Sequence, residues 1–239
     1  MTTAFERDPA AQMLPGQAAA PAGPCDMRGM YLMHHAFRRD LRDLLGAAER
    51  TPVADRTTWH ELGVRWTRFA HLLHEHHTVE DVVLWPLLRE RADDPEEGRV
   101  LDAMEAEHDL IDPLVERCDA LFGRLAATAD DAARTELWTT LAEARRVLDD
   151  HLGHEERAAV PLVQRHVGAG EWERLERTEF RGRPSLRELR FQLPWMVHEV
   201  PEEIVESMVE EAGRGFALVL RLSRRGFERH QQAAFKHLG

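Results

Sequence analysis

One pattern occurs twice in this 239-residue chain: a lone histidine, then some forty residues later His-x-x-x-Glu. His34 precedes the pair His76/Glu80, and His108 precedes His151/Glu155. Residues four apart share a face of a helix. A helical hairpin made twice would therefore converge four imidazoles and two carboxylates inside one bundle. Two metal ions need about that set of ligands.

Spacing alone does not select these residues. With 14 histidines and 43 acids, chance places about two or three acids four residues after a histidine, and the chain has six such pairs. The selecting criterion is burial, because a site inside a bundle needs apolar neighbours three, four and seven residues away. His76 has Phe69, Leu72, Leu73, Val79 and Val83; His151 has Ala144, Val147, Leu148 and Ala158. His34 is followed by Phe37, Leu41, Leu44 and Leu45, whereas His35 is followed by Arg38, Arg39 and Arg42. His108 sits between Leu101 and Met104 on one side and Ile111 and Val115 on the other. His71 and His74 fall on a polar stripe, and His77, with Asp81 as its carboxylate, is the runner-up. The repeat joins these choices: a shift of 75 lays His76, Glu80 and Pro86 on His151, Glu155 and Pro161, and a shift of 74 lays His34 on His108.

The apolar residues recur at helical spacing, and tyrosine occurs once, so the chain reads as all-α. Helices are expected over 27–50, 56–91, 96–127 (bent or interrupted near Pro113) and 131–166, separated by Thr51-Pro52, Asp93-Asp94-Pro95 and a short link before Asp131. Four long helices with short connections give an antiparallel up-down bundle. The expected division is a flexible N-terminal tail over 1–24, the bundle over 25–168 and a C-terminal helical extension over 169–239. In the extension, 192–195 reads as a docking segment, and helices are expected over 201–212 and 216–235. The arginines at 221, 224, 225 and 229 read as a solvated face.

A net charge of −12 argues against a general nucleic-acid binder. The two cysteines, Cys25 and Cys118, cannot form a disulfide framework. No stretch is apolar enough to span a membrane, and the N-terminus lacks the pattern of a secretory signal. The expectation is a cytoplasmic protein.

Buried carboxylates cost several kcal/mol each unless paired or metal-bound, and no Lys or Arg occupies a matching inward position. Imidazole and carboxylate without thiolate suit iron, manganese or zinc. Two histidines per ion and two bridging glutamates leave coordination positions open, which points to dioxygen, peroxide or nitric oxide chemistry.

The two segments HHTVEDVVLWP (76–86) and HLGHEERAAVP (151–161), with their preceding histidines, resemble the hemerythrin-like (HHE cation-binding) family over about residues 27–167. The resemblance implies a four-helix bundle holding two iron ions in an oxo- or hydroxo-bridged non-haem centre, bridged by Glu80 and Glu155; zinc and manganese accept the same ligands. It implies dioxygen, hydrogen peroxide or nitric oxide as small ligands. Oxygen-carrying hemerythrins have His-x-x-x-His on the third helix, where this chain has Met104. The missing fifth histidine favours an open site with peroxidase-, catalase- or oxygenase-like chemistry over reversible oxygen carriage. Tyr31 and Glu105, each three residues before a lone histidine, are candidates for an added ligand or a proton and electron donor. Enzyme and non-enzymatic binding or sensing module remain the two alternatives, and a zinc ion that merely holds the helices is a third. The extension is expected to cap the bundle or to form a homodimer.

Overall fold

The computed structural model describes residues 13–181 and 184–238. Among these the chain is helices and loops with no strand. α1 spans Arg28–Arg50. α2 (Arg56–Val79) runs through a π-helical turn, Glu80–Leu84, into α3 (Trp85–Arg89). α4 spans Pro95–Ala127. α5 (Asp131–His154) likewise passes through a π-helical turn, Glu155–Ala159, into α6 (Val160–His166). α7 (Ala169–Leu175) ends in a third such turn, Glu176–Phe180; α8 (Leu186–Met196) and α9 (Glu202–Ala234) follow. No helix of the described residues is long and apolar enough to cross a membrane.

Acids start three of the long helices. Asp55, Asp94 and Asp130 accept hydrogen bonds from the backbone N–H groups of Thr58, Glu96 and Ala133, satisfying donors that the first turn leaves free. Pro95 occupies the first turn of α4, where a missing N–H costs nothing. Pro113 neither breaks nor divides that helix, contrary to the expected interruption. It lies on the exposed face, so the carbonyl it leaves unpaired is open to water.

α1 packs on α5, α2 on α4, and α4 on α5. Two apolar clusters fill the interior. One holds Phe37, Leu44, Trp59, Trp66, Phe122 and Leu148; the other holds Met30, Leu84, Trp85, Leu101, Met104 and Val160. Each of the four long rods crosses from one cluster to the other, and His34, His76, Glu80, His108, His151 and Glu155 all fall at that crossing. The polar layer is thus closed off by hydrocarbon at both ends.

Residues 1–12 of the expected tail lie outside the described residues. From Met13 onward the segment has no regular structure, yet it is anchored, unlike a free tail. Leu14 and Cys25 are buried, Ala18 donates its N–H to Glu156 (2.5 Å), and Cys25 donates to Gln164 (2.9 Å).

The extension lies against α1 and α2. The segment at 192–195 is helical, within α8, and Trp195 is fully buried with its ring 5.6 Å from that of Phe37. Arg65 of α2 is also fully buried. It grips Asp40 through two hydrogen bonds (2.7 and 2.9 Å), with Phe191, Phe227 and Phe235 about its guanidinium at 5.1–5.6 Å. The two helices expected over 201–212 and 216–235 form one run, broken only at Gly213, whose φ of +80° is helical for no residue.

Candidate metal centre

The six residues chosen by flanking burial come together, and all are at most 5% exposed. They form two groups whose ligand atoms lie within 4.8 Å of one another: His34, His76 and Glu155, and His77, Glu80, His108 and His151. His77 belongs fully to the second group, although the sequence ranks it only as runner-up. Its ring stacks on that of His108 with centroids 3.9 Å apart, and it meets His151 edge-on at 5.3 Å.

The two π-helical turns explain why the repeat carries a proline. A helical proline clashes with the carbonyl four residues back and lacks an N–H to bond it. Pro86 and Pro161 follow turns in which the helix widens by one residue, so Trp85 and Val160 donate to the carbonyls of Glu80 and Glu155, five residues back. Each widened turn begins at the glutamate of the site. Single π turns of this kind are frequent at functional sites.

Outer carboxylates fix the imidazoles crosswise between the two copies. His34 Nδ1 meets Glu156 Oε1 at 2.9 Å, and His108 Nδ1 meets Asp81 Oδ1 at 2.9 Å. Glu156 follows Glu155 and Asp81 follows Glu80, so each acid holds the lone histidine of the opposite copy. Glu107 holds His151 within a single copy (2.9 Å) and also bonds His154 (2.7 Å). With its Nδ1 held by Glu156, His34 turns Nε2 inward, 3.0 Å from Glu155 Oε2; His76 Nε2 lies 3.1 Å from Glu80 Oε1.

Inside this layer the usual hydrogen-bond pairing fails. His34 Nε2, His76 Nε2, both nitrogens of His77, both oxygens of Glu80 and Oε2 of Glu155 are buried without a hydrogen-bond partner among the described residues. Close approach without bonding alignment is what ligand atoms show when they are aimed at a common point. Buried polar groups are otherwise paired in folded proteins. The donor set therefore fits a pair of cations.

The protonation pattern carries the same strain. Burial opposes a charge on His34, but Glu155 and Glu156 outweigh it and hold its pKa up at about 9. Burial, together with the charge on His34, drives His76 down to about 3. Burial and the neighbouring imidazoles keep His77 neutral as well. Glu155 resists burial because His34, His76 and His151 draw it down to about 2. Glu80, by contrast, is pushed well up by burial and by the charge of Glu155. Two equivalent glutamates are thus pulled in opposite directions.

The model of the hemerythrin HHE cation binding domain matches residues 27–163, more than half of the chain. The chain belongs to this family. No curated protein and no solved structure matches it. The hemerythrin domain is thus a cation-binding module, and the His/Glu groups are where it can hold metal.

Two expectations change. The site is not short of a fifth imidazole although Met104 stands on the third helix, because His77, from the helix that bears His76, joins the group of His108 and His151. Glu105 is turned away: its carboxylate pairs with Arg89 at 2.9 Å and is 45% exposed. Tyr31 remains near the site. Its hydroxyl is buried without a partner among the described residues, and burial, Glu156 and Glu155 raise its pKa so that the phenol keeps its proton. His35 is buried too, but beside the backbone of Pro15 and Glu199 and outside both ligand groups. His71 and His74 are exposed.

Proposed function

We propose that this chain is a non-haem di-iron protein that reacts with dioxygen or hydrogen peroxide in the core of an antiparallel up-down four-helix bundle over 25–168. The observation that carries the reading is the convergence of buried imidazoles and carboxylates from four helices on one apolar-walled layer, with atoms of His34, His76, His77, Glu80 and Glu155 left without a partner among the described residues. His77, His108, His151 and Glu80 would hold one ion, and His34, His76 and Glu155 the other, with Glu80 and Glu155 close enough to bridge. Iron held in those positions would supply redox chemistry toward a small oxygen ligand.

The chain's own residues prepare the side with the poorer donor set, that of His34, His76 and Glu155. Glu156 orients His34 there and raises its basicity, as Asp81 and Glu107 do for His108 and His151 on the other side. Phe37, packed 5.5 Å from His76, and Phe180, 6.2 Å from it, shield the poorer side from bulk water. Tyr31 holds a proton beside Glu155 and Glu156, available to a small oxygen ligand.

The test is metal content together with an optical spectrum before and after peroxide and air. Two irons per chain, a spectrum that changes on addition, and consumption of peroxide are expected. Zinc at both positions with no spectral response would refute the reading. His77 favours a second reading, a non-enzymatic oxygen or nitric oxide binding module, because with it the chain again has five imidazoles. Reversible oxygenation without peroxide turnover would select that reading.

A further inference from the structure

A side chain from outside the four long rods reaches the ligand layer. Phe180 ends the π-helical turn Glu176–Phe180 and sets its ring 6.2 Å from that of His76 and 5.7 Å from that of Trp172. The turn is pinned to the bundle. Trp172 is buried and donates its indole N–H to the carbonyl of Asp26 (2.7 Å). Glu176 lies so close to Gly29 of α1 that a Cβ there would meet its Oε1 at 2.2 Å, and its Oε2 accepts a hydrogen bond from Arg181 (2.9 Å). The matched family domain ends at residue 163, so this contact belongs to the extension.

Position decides what the ring can do. In the group of His34, His76 and Glu155, His34 is 0% and Glu155 1% exposed, and His76 keeps 5%. The approach from water to this group therefore runs past His76. Two phenyl rings lie on that imidazole. Phe37 is fully buried and belongs to the wall, whereas Phe180 is half-buried and stands between the imidazole and the surface. Centroids about 6 Å apart are in contact for aromatic rings, so no layer of water fits between Phe180 and His76.

We propose that Phe180 is the size-selecting residue of this site: it covers the His34, His76 and Glu155 position, admits a ligand as small as dioxygen or hydrogen peroxide, and excludes bulkier ones such as alkyl hydroperoxides. The inference rests on the reading of that side as the one that takes a small oxygen ligand. A phenyl ring offers neither a proton nor a lone pair, so its discrimination is steric. The rods thus supply the ligands, and the extension decides what reaches them.

The experiment uses the full chain loaded with cobalt(II), whose visible bands report a new ligand without any redox turnover. Formate and benzoate present the same carboxylate and differ in bulk. The wild type should respond to formate and bind benzoate more weakly by about tenfold or more, the discrimination that even one ill-fitting methylene supplies in an apolar pocket. Phe180→Ala should strengthen benzoate binding by about that factor and leave formate nearly unchanged. Phe180→Leu, which disturbs the packing less, should fall between the two. Thr178→Ala, at an exposed position of the same turn, should behave as the wild type. Far-UV circular dichroism and cobalt stoichiometry show that each variant keeps its helices and its site. A wild type that responds to neither anion, or takes both equally, would overturn the proposal. So would a Phe180→Ala protein that loses stability but still excludes benzoate, since that is the mark of a ring that only packs. Iron-loaded protein offered hydrogen peroxide and cumene hydroperoxide separates the two readings. If it consumes neither while the cobalt form keeps its size selection, the redox chemistry falls and the cover at Phe180 stands.

Discussion

The imidazole of His77 lies face to face with that of His108, 3.9 Å between centroids and 10° from parallel. Adjacent histidines on one helix point about 100° apart, so His76 and His77 cannot serve the same ion. Here they face two groups: His76 that of His34 and Glu155, and His77 that of Glu80, His108 and His151. This division gives the two sides unequal donor sets.

Replacing His77 by Gln should therefore deplete one metal position and leave the other filled. Metal analysis of His77→Gln should show a stoichiometry near half that of the wild type, or affinity at one position weakened by more than about 10–100-fold, the usual loss when only a supporting contact is removed. His74→Gln, on the exposed face of the same helix, should change neither. Equal metal content in the two variants would remove His77 from the ligand set.

Metal uptake should release protons. With no cation present, the site is neutralised by a proton on His34, whose pKa is about 9, and by one on Glu80, whose pKa is raised by burial and Glu155. Ligands must give up these protons to bind. Apparent affinity should thus rise with pH as His34 gives up its proton, through about 9. Titrating metal into weakly buffered protein at pH 7 and at pH 9.5 checks this; equal proton release at both would refute it. The stability of the metal-free protein follows the same signs. The His34 contribution is complete below its unfolded value, about 6.5, and is lost as pH rises through about 9. The cost of burying Glu80 likewise grows as pH rises above its unfolded value, about 4.3.

Much of the site is legible in the sequence. His34, His76, His108 and His151 stand out because helical periodicity puts apolar residues on one flank of each. His77 escapes that criterion because the criterion grants a helix one inward face, whereas α2 meets two ligand groups at once. The proline at matching positions in both copies is visible, but its consequence, the widened turn that begins at each glutamate, depends on where the clash is relieved. The acids at 81 and 156 are equally visible as the residue after each glutamate. Their crosswise contact to the other copy is not, since it depends on which helices become neighbours. Glu105 is suggested by its equivalence to Tyr31, but it pairs with a surface arginine, Arg89, that sequence spacing does not place beside it.

The crosswise carboxylates give a graded prediction. Asp81 is 37% exposed, and Glu156 is fully buried and also bonded by Arg38 at 2.7 Å. Asp81→Asn should lower metal affinity by about tenfold, because an amide oxygen and nearby water can partly replace the lost carboxylate charge. Glu156→Gln should cost nearer 100-fold, the upper end of the range for such supports. Competition with a chelator of known affinity measures both. The reverse order would mean that these acids do not act through the histidines they touch.

Arg65 is where the extension can be separated from the metal site. Arg65→Met keeps most of the volume but leaves Asp40 fully buried with Arg39 as its remaining cation, 3.0 Å away. Removing one partner from a buried pair costs about 3–5 kcal/mol, a fall in Tm on the order of 10 °C for a chain of this size. The loss should be concentrated in the extension, because Phe191, Phe227 and Phe235 surround the guanidinium and nothing else in the bundle replaces it. Limited proteolysis should then cut between α7 and α9 faster than in the wild type, while the ligand histidines, on the bundle side of Phe37, keep their metal. If metal is lost in step with the extension, the wall formed by Phe37 and Trp195 is part of what holds the site together.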